Sequence, residues 1–249
     1  MAPRLPLDPS EFRPSLDKTV IQKCRKKYNV PAEFKFFQAT EHVRAHHNPD
    51  KEGKRDRIVI YLDQLEGGLR FPLDPFLILF FRAYNIAPGQ LHPNGYRFLT
   101  AFCELIRSHG REPTVQMHRY MFSLIKKKGD LTYSMSSIPG FGLFKKLPDI
   151  SRDWRSKFFF IQHENAFQQI PVVWANDLHI VKRSSDFIEA IDLTLLADLH
   201  YRCSSLSPSA NTYVERFVYR HEHPNDAGLY DIITESRGIC LTFSISFSV

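Results

Sequence analysis

The sequence predicts an α+β fold, mainly α, in which a compact helical core carries a small antiparallel sheet. Three observations predict it. Asp74 and Pro75 open a nearly unbroken apolar run, Phe76-Leu77-Ile78-Leu79-Phe80-Phe81, and a capping carboxylate followed by proline at the first helical position suits a helix lying at the centre of a domain. Residues 96–106 and 115–125 then repeat apolar side chains at helical spacing with short connections between them, the pattern of helices packed as neighbours. After Leu131 the period shortens to alternation, and residues 154–161 end in an aromatic run suited to a buried strand.

Composition sets the bounds. A chain of 249 residues that is 43% hydrophobic and 13% aromatic can bury a core. The net charge of +6 is unevenly spread: residues 1–57 carry 13 Lys/Arg against 8 Asp/Glu, residues 58–164 carry 14 against 9, and residues 165–249 carry 6 against 10. A basic first two thirds permits weak, salt-sensitive attraction to nucleic acid, although so diffuse a charge is no specific footprint. The four cysteines, Cys24, Cys103, Cys203 and Cys240, lie far apart with no CxxC pair, so they read as reduced thiols and not as a zinc site. No stretch approaches the roughly 18 to 20 apolar residues of a membrane span, and no signal-peptide core follows the N-terminus. The expectation is an intracellular protein that engages no membrane.

Residues 1–15, with Pro3, Pro6, Pro9 and Pro14, form a flexible lead-in. Leu16, Val20, Ile21, Cys24 and Tyr28 follow helical spacing from a cap at Asp17 until Pro31 stops the run. The other face of that helix holds Lys23, Arg25, Lys26 and Lys27, candidates for nucleic-acid contact. A solvated face with cations near the helix C-terminus is the favoured account of them, because the dipole favours positive charge there. Glu33–Gln38 suits a short strand, and residues 42–57 a polar loop. His42 and His46 stand four apart in that loop, yet no apolar helix face or neighbouring carboxylate supports a metal site, and none is assigned.

Ile58, Tyr61, Leu62 and Leu65 recur at helical spacing and end at Gly67-Gly68, which predicts a short helix. Within it, Tyr61-Leu62-Asp63-Gln64 lacks the second carboxylate that a polymerase-type metal box requires. The central helix follows, then a tight connection through residues 85–93, a helix to about Gly110, and a third launched by Pro113 and Thr114. This third helix is expected to carry Val115, His118, Met121, Phe122 and Ile125 on one face and to close on Lys126, Lys127 and Lys128. Those lysines are the second group of candidate nucleic-acid contacts, with the helix dipole as the alternative account. His118, on an apolar face, reads as a hydrogen-bonded core histidine. From residue 170 the composition turns acidic, and Asp186 and Glu189 stand at capping-box spacing ahead of an amphipathic helix reaching about Cys203. The organisation is therefore 1–15 lead-in, 16–169 main domain, and 170–249 acidic C-terminal extension with one helix and a tail.

The stretch GLRFPLDPFLILFFRAYNIAPGQLHPNGYRF, residues 68–98, resembles the plant family called the putative gypsy-type transposon domain. Tyr28-Asn29-Val30-Pro31, Gly110-Arg111-Glu112-Pro113-Thr114, Leu143-Phe144 and residues 154–160 resemble further motifs of that family in the same order, with Arg155 in place of its lysine. The segment at Gly129-Asp130-Leu131-Thr132-Tyr133 departs from the family's usual Gly-Trp-Tyr. The resemblance covers about residues 24–162. It implies origin in a transposable element, in a position similar to the Gag-like region of a retroelement, and it brings no catalytic residues. The carboxylates are scattered with no acidic triad, no aspartic-protease triplet occurs, and the integrase zinc finger is missing. These readings lead to a non-catalytic structural or interaction module, without cofactor, whose expected partners are further copies of itself; the alternative is weak nucleic-acid binding by the basic first two thirds.

Overall fold

Helix α1 (Lys18–Lys27) opens the described part of the chain. Asp17 caps it by accepting a hydrogen bond from the Val20 amide at 2.8 Å, and the tyrosine and asparagine that follow end it. The computed structural model describes residues 12–47, 55–126, 131–144, 149–179, 181–206 and 217, with side chains given through His200 and at Phe217. After α1 come β1 (Lys35–Gln38), β2 (Arg57–Tyr61), α2 (Leu62–Glu66), α3 (Pro75–Tyr84), a 3-10 turn at Pro88–Gln90 and α4 (Pro93–Ser108). These lead to α5 (Val115–Met121), β3 (Phe122–Lys126), β4 (Tyr133–Ser137), a 3-10 turn at Trp154–Ser156, β5 (Phe158–Gln162) and α6 (Ala190–Leu206). The class is α+β, and the strands form two antiparallel sheets instead of one: β1-β5-β2, and the hairpin β3-β4.

In the larger sheet β5 is central, with Phe36 opposite Ile161 on one side and Val59 opposite Phe160 on the other. Alternation sends Ile58, Ile60, Phe159 and Ile161 into the main core, while Val59, Tyr61, Phe158 and Phe160 enter a smaller cluster with Trp154 on the opposite face. Burial on both faces explains why β5 reads as an unbroken apolar run. The main core gathers α3, α4, α5 and the hairpin, and it also takes Ile170, Val172, Ile188, Leu196 and Leu199 from beyond residue 169.

Two expected helices are corrected. The first, over residues 58–65, is the strand β2 running directly into the five-residue α2. Ile58, Val59 and Ile60 include β-branched side chains that pack on opposite faces of the sheet, and in so short an apolar run helical spacing and strand burial cannot be told apart by periodicity. The second, from Thr114 through Ile125, ends at Met121, because Phe122 is already extended (φ −131°, ψ 156°) and pairs with Ser137 across the hairpin. Phe122 is buried and Ile125 is 49% exposed, so strand alternation replaces the single helical face. Lys126 therefore ends a strand and the dipole account of its charge falls away, while Lys127 and Lys128 lie outside the described residues. The central helix α3 keeps its expected bounds, with Asp74 accepting from the Phe76 amide and Asn85 closing it in the left-handed conformation. It is not apolar-buried on all sides: Leu79 is 50% exposed. The tail after residue 206 lies outside the described residues, apart from Phe217.

Candidate functional site

The two groups of candidate contact lysines sit on different elements. Lys23, Lys26 and Lys27 are exposed and Arg25 is half-buried along α1, which packs on β1. Lys27 also lies over the Tyr28 ring, 4.9 Å from its centroid. Lys126 donates to the Asn176 carbonyl and stands 3.8 Å from the Asp177 carboxylate, so its ammonium is engaged by the 176–177 segment.

The most organised polar groups are buried, and they hold the fold. Gln64 is fully buried: its Oε1 accepts from the Tyr61 amide at 3.0 Å, and its Nε2 donates to the carbonyls of Pro88 and Leu91. Gln90, equally buried, accepts from the amides of Ala87 and Ala175 and donates to the carbonyls of Leu131 and Ala175. Together the two carboxamides satisfy backbone groups of β2, the 3-10 turn, the approach to β4 and the loop at Ala175, which would otherwise be buried unpaired. In the Tyr61-Leu62-Asp63-Gln64 sequence, Gln64 is thus a structural brace. Its neighbour Asp63 is buried, and burial pushes its carboxyl above the usual range.

Arginines act in the same way. Arg70 donates to the carbonyls of Leu65 and Leu69, and Arg97 to the Glu66 carbonyl and the Asn94 side chain. Arg107 grips both oxygens of Asp74 at 2.7 and 3.0 Å, which ties the end of α4 to the cap of α3 and holds its guanidinium above the ordinary range. Arg111 bridges to Asp192 and Glu189, each at 2.7 Å, joining the loop after α4 to the start of α6.

His118 is fully buried among Phe76, Phe80, Tyr84, Phe102 and Phe122, with Phe122 stacked on it at 5.2 Å. Its Nε2 meets the Met135 sulfur at 3.3 Å, and its Nδ1 has no hydrogen-bond partner among the described residues. It is a core histidine, held by aromatic packing more than by hydrogen bonds. Burial lowers its pKa to about 3, so the ring is neutral at physiological pH. Among the described residues, no three His, Cys, Asp or Glu side chains form a group that could hold a metal ion. No helix there is long and apolar enough to cross a membrane.

Two surface features escaped the sequence. One is a cleft of about 480 Å³ bordered by Arg55, Arg82, Asn85 and the segment from Gln168 to Ala175. The other is two exposed apolar side chains, Phe187 (71%) in the turn before α6 and Ile191 (54%) in its first turn. No local signal could have found the cleft, because its residues are distant in sequence and meet only through the fold.

These elements define an α+β domain whose family-like stretch is braced by buried glutamines and arginines. Residues 58–126 match the family model described as Putative gypsy type transposon. The match runs from β2 to β3 and so contains both glutamines, the central helix and His118. Comparison with curated proteins and with solved structures returned no match.

Proposed function

We propose that the protein is a non-catalytic, transposable-element-derived structural or interaction module of Gag-like character, which associates with further copies of itself. The observation that carries this reading is the exposed pair Phe187 and Ile191, flanked by Asp186 and Glu189. Two large apolar side chains held in water four residues apart favour burial against a partner. Charge points to the same chain as that partner, since an acidic last third is complementary to a basic first two thirds. A contact between two different patches is heterologous and extends into rings or filaments, as particle assembly requires. Light scattering of the full chain should show mass rising with concentration. Phe187→Ser together with Ile191→Ser should return it to monomer, and added salt should weaken association. A monomer at every accessible concentration overturns this reading. The non-catalytic part rests on the dispersal of carboxylates along the sequence, and magnesium-dependent strand cleavage or transfer by the purified chain would refute it.

A second reading, nucleic-acid binding, is favoured by α1, whose ten residues include Lys23, Arg25, Lys26 and Lys27 and no acid. Gel-shift titration should then show affinity falling steeply with salt, and replacing one contacting lysine should lower the salt slope by about 1. Absence of binding at low salt removes this reading.

A further inference from the structure

The cleft at the end of α3 is open, and the described side chains lining it include two arginines and no aspartate or glutamate. Arg82 is exposed and makes no hydrogen bond or ion pair among the described residues. Asn85, also exposed, offers a carboxamide beside it. Trp174 also lines the cleft, packs against Gly89 and His46, and carries a buried indole nitrogen with no hydrogen-bond partner among the described residues. That nitrogen can only donate. Gln168 and Gln169 extend the polar wall.

We propose that this cleft is a phosphate-binding site, taking the phosphate group of a nucleotide or of a nucleic-acid strand terminus. The reason is the supply of donors: the Arg82 guanidinium fork and the Asn85 and Gln169 carboxamides line one opening with no described carboxylate beside them, and a phosphate monoester presents three terminal oxygens to accept from them. A carboxylate presents two. The dipole of α3 explains why an arginine stands in its last turn, and it opposes an anion with about half an elementary charge. The Arg82 guanidinium alone brings a full positive charge, which outweighs the dipole. A volume of about 480 Å³ leaves room for the nucleoside part beyond the phosphate.

This inference goes beyond the association reading, since it needs no second copy and stands or falls independently of the light-scattering result. The full chain is titrated with inorganic phosphate, adenosine monophosphate, a 5′-phosphorylated single-stranded oligonucleotide, its unphosphorylated counterpart, and acetate, while tryptophan fluorescence is read. Trp154 is buried in the smaller core, so a response of the cleft belongs to Trp174 and should vanish in Trp174→Phe. Phosphate compounds should give a saturable change that Arg82→Gln weakens by about tenfold and Arg82→Lys partly restores. The Arg82 side chain is exposed and unpaired among the described residues, so neither variant should alter the circular dichroism, and Arg82→Gln should lower the thermal midpoint only slightly, by the loss of its favourable place at the helix dipole. A mononucleotide-only response assigns a free nucleotide, and a response to the phosphorylated strand alone assigns a strand terminus; both support the site. A response matched by acetate, one unchanged in Arg82→Gln, or none with any phosphate compound overturns it.

Discussion

A buried histidine in an aromatic cage makes this protein sensitive to acid through one side chain. In the unfolded chain His118 takes up a proton near its ordinary value of 6.5, whereas in the fold burial delays protonation to about pH 3. Below pH 6.5 the unfolded state therefore holds the extra proton, and the stabilising effect of keeping His118 neutral is complete above 6.5 and lost progressively as pH falls toward 3. The slope is about 1.4 kcal/mol per pH unit, so about 2 kcal/mol should disappear between pH 6.5 and pH 5. Urea unfolding of the native chain and of His118→Phe at these two values isolates the effect from the other titrating groups. Equal losses in both would show that His118 is not responsible. At this scale the sequence was partly legible. An apolar setting marked His118 as a core residue. The roles of Gln64 and Gln90 were not legible, because Gln64 reaches backbone 27 residues away and Gln90 reaches backbone 85 residues away, and no spacing rule connects such positions.

Among elements, the 3-10 turn at Pro88–Gln90 is where packing is tightest. A Cβ on Gly89 would fall well inside contact distance of Val59 Cγ1 and 3.1 Å from the Val59 carbonyl oxygen, with Trp174 also close. Neither neighbour can step aside without moving β2. Gly89→Ala should thus destabilise the protein by about 1–3 kcal/mol through overpacking, measured as a lower urea midpoint. An unchanged midpoint would mean that the turn has room to shift. Gly68 is constrained differently, since its φ of +103° is a conformation side chains rarely adopt and Thr100 stands 2.5 Å from a Cβ there. Helices with a cap and a stop, α1, α3 and α4, were legible because their signals are local. The β2–α2 and α5–β3 junctions were not. In each, a short apolar run satisfies either period, and what decides is the availability of a partner strand: β5 for β2, and β4 for β3.

For the molecule as a whole, the contact between Arg111 and the acidic start of α6 joins the family-matched region to the later part of the chain. Both partner carboxylates, Asp192 and Glu189, belong to the segment read from the sequence as an acidic extension. Arg111→Ala should raise amide hydrogen exchange in α6 while leaving α3 and α4 protected, because Ile188, Leu196 and Leu199 still pack in the core. Uniform exchange behaviour in both proteins would show that apolar packing alone holds the helix. By itself the sequence determined the α+β class, the capped helices, the resemblance to the transposon family and the charge asymmetry, since each depends on neighbours along the chain or on composition. Only the tertiary structure decided that part of each of two expected helices is a strand, that glutamines brace the centre, and that Arg82 shares a cleft with Trp174. Those outcomes depend on groups brought together from distant positions, where burial and pairing outweigh the weak preferences of a short segment.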